Sequence, residues 1–251
     1  MSRFAKYAWA TLGYNLLVVM WGAFVRASGS GAGCGEHWPT CNGEVIPRSA
    51  AVETMIEFTH RATSGFALIL TIGLVIAAHR AFQSGHRVRR AAHTTLGFMI
   101  AEALLGASLV IFGLVEDDDS VARAVVMCMH LINTLALLGF MALTAWWSEH
   151  EGKLNFDHTI TNKLGMGLLG VFAIGVTGAI AALGDTLFPA ASLVEGIRAD
   201  LEPGAHFLLK LRGFHPVIAL LVAFGLFSLV KPYTAHDKLG GLARLLVGFV
   251  V

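Results

Sequence analysis

Six stretches of the sequence are apolar over the roughly 20 residues that a helix needs to cross a bilayer. They lie at 7–27, 55–78, 94–115, 121–147, 163–184 and 207–230. Lipid offers the backbone no hydrogen-bond partners, so such segments cross a membrane as helices. The chain is also 55% apolar and only 14% charged, unlike an ordinary soluble domain. We therefore expect an all-α integral membrane protein.

Basic residues mark alternate connections between these spans. They precede the first span, separate the second from the third and the fourth from the fifth, and follow the sixth: Arg3, Lys6, Arg80, Arg87, Arg89, Arg90, Lys153, Lys163, Lys231 and Lys238. By the positive-inside rule the N-terminus is cytoplasmic and loops 28–54, 116–120 and 185–206 are outside. A bacterial inner membrane fits this pattern, because the first span starts almost at once without a transit peptide.

The polar tract 148–162 divides the chain into two halves, 1–150 and 151–251. Each half begins with a glycine-containing span and a long outside loop, followed by a span with one histidine near its outer end. This faint repeat predicts two pseudo-repeated helix bundles, and cofactor sites lie within or between such bundles. A seventh apolar run begins near Leu239 and stops at Val251, so we expect a truncated second bundle.

Glu57, His60 and Arg61 stand at the head of the second span, spaced so that a helix projects all three from one face. Ionisable groups within a membrane span are costly and usually mark a functional site. Two interpretations of Arg61 remain open: it pairs with Glu57 four residues earlier, or it binds an acidic group of a cofactor.

Three histidines lie at similar depth in different spans: His60, His130 and His215. At about 1.5 Å per residue, His60 and His130 are about 12–14 Å below the outer surface. Equal depth on separate helices suits two imidazoles that approach one haem iron from opposite sides. The alternative is that each histidine only hydrogen-bonds a neighbouring helix. Zinc fits less well, since no second nitrogen or sulfur ligand lies at metal-site spacing within a helix.

Cys34 and Cys41 lie seven residues apart in the glycine-rich outside loop. An oxidising compartment permits a disulfide there, and the glycines allow a tight closure. A redox or metal site with two cysteines is the alternative.

Several motifs resemble those of the haem A synthase family. In the first half they are Ser28–Gly35, Trp38–Cys41, Val45–Pro47 and Glu57–Arg61; in the second half they are Thr177–Ala179 and Leu183–Pro189. The resemblance covers nearly the whole chain. It implies eight transmembrane helices in two four-helix bundles and an oxidoreductase that converts the C8 methyl group of haem O to a formyl group for terminal oxidases.

The resemblance also assigns roles to residues. It implies that Glu57 is catalytic, that His60 and His130 hold the catalytic haem, and that His215 ligates a b-type haem in the second bundle. Arg61 is then a candidate for a haem propionate, and Cys34 and Cys41 form the outer-loop pair. The family's fourth haem histidine lies in the eighth span, so we expect that the sequence is incomplete rather than that the second haem is five-coordinate.

As partners we expect haem O, membrane lipid, haem O synthase, terminal oxidase assembly and a second copy of the chain, but no nucleic acid. The rival function is a cytochrome b-like protein that binds haem and relays electrons without catalysis. It would need the same histidines, but it would have no use for Glu57.

Overall fold

The structure is a computed structural model that describes residues 1–48, 51–150 and 158–230. These residues are helical, apart from their loops and an isolated bridge between Cys41 and Glu44. Six helical segments among them are long and apolar enough to cross a membrane. The prediction of an all-α integral membrane protein is therefore confirmed. The chain divides into two compact units, Met1–Gly152 (unit 1) and Lys153–Val251 (unit 2).

Unit 1 consists of four helices. They are α1 (Arg3–Ala27), α2 (Val52–Ala81), α3 (Arg87–Ile111) and α4 (Val121–Trp147). Both α1 and α3 pack against α2 and against α4, so the four helices form a ring in which α2 and α4 are diagonally opposed. The α1–α2 and α3–α4 connections lie at the same end of this bundle, which we call the loop end.

Threonines lie deep inside unit 1 although it is surrounded by lipid. Each of four buried threonines donates its hydroxyl to the carbonyl four residues earlier, at 2.7–2.9 Å: Thr11, Thr71, Thr95 and Thr144. Because these bonds are internal to one helix, the polar groups need no outside partner. Small residues such as Ala8, Ala78 and Ala145 are buried beside them and allow close helix packing.

Large apolar side chains cover the outside of the bundle. Leu17, Met20, Ile69 and Leu104 are all more than half exposed. An apolar surface of this kind is unfavourable in water but suits contact with acyl chains. The side-chain distribution therefore agrees with membrane-spanning helices.

The α1–α2 loop is tied down close to the start of α2. Cys34 and Cys41 form a disulfide. The carbonyl of Gly33 accepts hydrogen bonds from the Thr54 hydroxyl at 2.8 Å and from the Asn42 side chain at 3.2 Å. Gly33 itself lies against the backbone of α2, because a Cβ built on it would come within 2.4 Å of the Glu53 carbonyl group.

Unit 2 contains α5 (His158–Leu187), α6 (Leu193–Leu201), α7 (Phe207–Arg212) and α8 (His215–Val230). Two features differ from the sequence expectation. The predicted loop 185–206 contains the short helix α6. The predicted span 207–230 is interrupted between α7 and α8, and the seventh apolar run lies outside the described residues.

The interruption has a clear cause at Pro216. Proline has no backbone N–H, and its ring collides with the carbonyl four residues earlier, here that of Arg212. It is tolerated in the first turn of a helix, where its N–H would have no partner in any case. The chain therefore stops α7 at Arg212 and starts α8 at His215, and Phe214 accepts the first hydrogen bond of α8 from Ile218 at 3.0 Å.

We predict that Gly33→Ala destabilises unit 1, whereas Gly31→Ala is tolerated. A methyl group at position 33 meets backbone atoms of α2 that cannot move aside, and overpacking of this kind costs about 1–3 kcal/mol. At position 31 the nearest atom is in the Val115 side chain, at an ordinary 3.6 Å. Thermal unfolding of both variants in detergent measures the difference. Equal melting temperatures would contradict the proposed close contact.

Candidate functional site

Glu57 and Arg61 form a buried ion pair one turn apart on α2. The Nε of Arg61 donates to Glu57 Oε1 at 2.9 Å, and its Nη2 donates to the same oxygen. Glu57 Oε2 accepts from the backbone N–H of Cys34 at 2.7 Å. Arg61 Nη1 donates to the carbonyl oxygens of His37 and Thr40. The pair therefore fastens the disulfide loop to α2.

His60 projects from α2 toward α1, where Gly22 makes room for its ring. A Cβ built on Gly22 would lie 2.9 Å from Cε1 and 3.1 Å from Nε2 of this imidazole. Any larger residue at position 22 would push the ring away. The Nδ1 atom of His60 is buried and has no hydrogen-bond partner in the described part of the chain. Such an unpaired polar atom is costly and uncommon in native structures.

His130 lies on α4 and faces α3. Its ring lies beside Gly106, where a built Cβ would be at an ordinary 3.7 Å from Nε2. Its Nδ1 is 3.4 Å from Glu102 Oε1, but the alignment does not make a hydrogen bond, and Nδ1 also lacks a partner among the described residues. Glu102 is held in place by Asn133 at 2.6 Å and by the hydroxyl of Thr134.

The two histidines therefore belong to one interior site. They come from the diagonally opposed helices α2 and α4. His60 lies eight residues into α2 and His130 nine residues into α4, which places both about 12–14 Å below the loop end. The two histidines therefore lie at similar depths in their helices, as the sequence predicted.

Unit 2 holds His215 in a similar way. A Cβ built on Gly178 of α5 would lie 3.2 Å from Cε1 of the His215 ring, as Gly22 lies close to His60. The Thr177 hydroxyl is 3.0 Å from His215 Nδ1 and donates to the Ala173 carbonyl at 2.8 Å. Its oxygen can therefore accept a hydrogen bond from the Nδ1–H group. In that tautomer Nε2 carries no proton, and its lone pair is available to a metal.

The histidines of unit 1 suit a metal ion whose other ligands come from a bound cofactor rather than from the protein. No group of three or more His, Cys, Asp or Glu side chains within the described residues could hold a bare metal ion. Two imidazoles at matched depth, each with an unsatisfied nitrogen, are what the iron of a tetrapyrrole requires, because the macrocycle supplies four ligands in a plane. The residues of unit 1 therefore fit a haem.

Sequence reasoning missed Glu102, which is the carboxylate next to His130. A lone acid within the third apolar span was the available signal, because ionisable groups in membrane spans are usually functional. The roles of Asn133 and Thr134 had no such signal, since polar residues that hydrogen-bond between helices are ordinary in membrane bundles.

Comparisons with known proteins show which family the sequence resembles. The family described as COX15-CtaA, cytochrome oxidase assembly protein, matches residues 5–251. Proteins named protoheme IX farnesyltransferase from two strains of Thermus thermophilus are 51% identical over 248 residues, which are 98% of this chain and 40% of theirs. Heme A synthases of Bacillus mycoides and Bacillus cereus are 41% and 33% identical over 165 residues, 65% of this chain and 50% of theirs. The chain thus spans half or less of the length of these relatives.

We predict that Glu57→Ala exposes the loop amide that this carboxylate holds. Hydrogen bonds to charged groups contribute about 1.5–3 kcal/mol, so exchange of the Cys34 amide should rise at least about tenfold. Thr54→Val is the matched control, because it removes a neutral hydrogen bond to the same loop and leaves the carboxylate in place. Hydrogen–deuterium exchange with mass spectrometry reports both. Unchanged exchange at Cys34 in Glu57→Ala would rule out the anchoring role.

Proposed function

Because the chain belongs to the cytochrome oxidase assembly protein family, we propose that it is a haem A synthase. In this function it oxidises the C8 methyl group of haem O to a formyl group within the membrane. One observation carries the proposal: unit 1 brings His60 and His130 together at one depth, with the Glu57 carboxylate one turn from His60. The likeness to the Bacillus heme A synthases supports it independently.

His60 and His130 would hold the iron of the substrate haem from its two sides. Gly22 and Gly106 lie beside the two rings and leave room for them next to the neighbouring helices. Glu102 would accept the Nδ1 proton of His130 once the ring turns by a small angle, since the two atoms are already 3.4 Å apart. Carboxylates in this position orient a ligating imidazole and make it more basic.

Glu57 would act on the reacting carbon. It is 3% exposed, and its carboxylate carries a negative charge in the ion pair with Arg61. In a site of low dielectric constant such a charge strongly stabilises positive charge that develops nearby, and the carboxylate can also accept a proton. With water as the source of the oxygen atom, conversion of the methyl group to the aldehyde would release four electrons and four protons, and Glu57 would accept protons in this step.

Unit 2 would supply an electron path. We propose that His215 ligates a b-type haem, which when bound would accept the electrons released by the oxidation. The contact between the Thr177 hydroxyl and Nδ1 would hold the His215 ring in one orientation for this role. In the family a further histidine for that haem lies in the eighth span.

The proposed partners follow from the substrate. Haem O carries a farnesyl group, and the Thermus relatives are named for transfer of that group to protohaem IX. This supports a haem O synthase as the neighbour that supplies the substrate and a terminal oxidase as the destination of the product. The alternating basic loops support a bacterial inner membrane with a cytoplasmic N-terminus.

The rival function, electron transfer by a cytochrome b-like protein, would use the same histidines. The two functions differ in what purifies with the protein. A farnesylated haem with a formyl or hydroxymethyl group indicates the synthase, whereas protohaem alone indicates the cytochrome. Mass spectrometry of the extracted pigment makes this distinction directly.

We predict that Glu57→Gln abolishes formation of haem A and keeps haem bound to the protein. The amide can still accept from the Cys34 N–H, but it has lost the charge that the reaction requires, so a loss of about 100-fold or more is expected. Thr54→Val, which weakens the same loop without a change of charge, should retain turnover. The readout is the mass of extracted haem after co-expression with haem O synthase. Normal haem A production by Glu57→Gln would refute the proposed role of Glu57.

We also predict that Gly22→Ala perturbs the haem of unit 1 more than Gly106→Ala does. A methyl group at position 22 lies within 2.9–3.1 Å of the His60 ring and must displace it, whereas at position 106 the contact with His130 is an ordinary 3.7–3.8 Å. Electron paramagnetic resonance of the ferric protein, which is sensitive to imidazole orientation, measures the change. Identical spectra for both variants would show that Gly22 does not position His60.

A further inference from the structure

Two arginines lie close together at the loop end of unit 1. Arg26 is in the last turn of α1, and Arg123 is in the first turn of the adjacent helix α4. Because α1 packs against α4, these two ends lie side by side and bring both cations to the same part of the bundle. Two like charges held together in a partly dry environment are unfavourable unless an anion lies between them.

Arg123 is held in place and only partly satisfied. It is 5% exposed, and its Nη1 donates to the carbonyl oxygens of Glu116 at 2.6 Å and Asp118 at 2.7 Å. Its Nε is buried and finds no acceptor in the described ranges of the chain. A buried N–H of a charged group without an acceptor is costly. The loop therefore fixes this side chain while one donor stays available.

Arg26 is half-buried and has less support. Within the part of the chain that the structure describes, its side chain makes no hydrogen bond or ion pair, and no acidic group offsets its burial. It lies four residues after Gly22, so both belong to one face of α1. Gly22 is the residue that contacts the His60 ring, and Arg26 therefore stands one turn above the histidine site on the same side.

Arg123 has the same relation to His130. The two residues are seven apart on α4, which is two turns and returns to the same face. At about 1.5 Å per residue, Arg26 is about 6 Å above the level of Gly22 and Arg123 about 10 Å above that of His130. Both cations thus stand between the depth of the two imidazoles and the loop end. This is the side from which an amphipathic tetrapyrrole would present its acidic groups.

We propose that Arg26 and Arg123 form a paired site for the two propionate carboxylates of the haem substrate. The proposal rests on the proposed function, in which His60 and His130 hold the haem iron. Two carboxylates would neutralise the two guanidinium groups and supply an acceptor for the unpaired Nε of Arg123. Guanidinium groups suit this task, because they bind carboxylates through paired hydrogen bonds.

Arg61, the candidate suggested by the sequence, is less suited to the role. Its Nε and Nη2 donate to Glu57, and its Nη1 donates to two loop carbonyls. Each of its three nitrogens is therefore engaged already. A propionate at Arg61 would have to displace the Glu57 carboxylate or the loop, whereas Arg26 has no partner to give up.

The test compares protohaem with its dimethyl ester, in which both carboxylates are blocked. All variants carry His215→Ala, so that only the site of unit 1 remains, and affinity is measured by absorbance titration of the full chain in detergent. The parent should bind the free acid at least about tenfold more tightly than the ester, as expected for charge-assisted hydrogen bonds. Arg26→Gln and Arg123→Gln should each remove most of this preference. Arg48→Gln, which alters an exposed arginine of the α1–α2 loop, should keep it.

Within each variant, the affinity for the free acid is divided by the affinity for the dimethyl ester. A loss of folded protein lowers both affinities alike, so a change in this ratio reports a change in propionate binding. Arg123 also holds the α3–α4 loop, so its replacement is expected to lower stability. Arg26 makes no such bond to the described residues, and Arg26→Gln should fold normally. An undiminished preference for the free acid in both variants would overturn the proposal. So would equal affinities in the parent together with a loss of co-purifying phospholipid in Arg26→Gln, which would assign the pair to a lipid phosphate.

Failure of the proposed function gives a different result. If unit 1 does not hold haem, neither porphyrin produces a bis-histidine spectrum in the parent, and a further His60→Ala replacement changes nothing. If unit 1 holds haem through His60 but the arginines do not bind the propionates, the spectrum is present and the preference survives in Arg26→Gln.

Discussion

The bond between the Glu57 carboxylate and the Cys34 amide is the contact on which the loop end of unit 1 depends. It joins a membrane helix to a loop that a disulfide has already closed. The same carboxylate orients Arg61, which in turn holds two further loop carbonyls. Because these groups are buried, each is costly without its partner, and the loop, the ion pair and the start of α2 therefore form together. The proposed haem site lies about one turn below this junction.

The constraint that organises the rest of unit 1 is the scarcity of hydrogen-bond partners in lipid. Buried threonines donate hydrogen bonds to carbonyl oxygens of their own helix, and Glu102 accepts hydrogen bonds from Asn133 and Thr134. Against this background the unpaired nitrogens of His60, His130 and Arg123 are exceptions. Under the proposed function these residues lie at the depths of the haem iron and of its carboxylates.

The sequence predicted the spans, the depth of His60 and His130, and the likeness to the family, because hydrophobic length and helical spacing are local properties. It could not decide how Arg61 is used, since both interpretations place the side chain on the same helix face. It also could not show that Glu102 lies next to His130, or that Arg26 and Arg123 lie at the same part of the bundle. Those pairs join residues that are 28 and 97 positions apart, and only the packing of α1 and α3 against α4 brings them together. Pro216 permits either a bend or a new helix start, and only the structure shows that the helix breaks at Gly213.

The two units show how one arrangement can serve two purposes. His60 with Gly22 corresponds to His215 with Gly178. Three residues before each histidine, unit 1 has Glu57 and unit 2 has Arg212, which pairs with Asp185 and Asp200 and so secures its own outer segment. In both units the residue at this position holds an outer segment in place, but its charge is negative in unit 1 and positive in unit 2. A cation beside a haem cannot stabilise positive charge at a reacting carbon, so under the proposed function oxidation is confined to unit 1, and unit 2 is left to carry electrons.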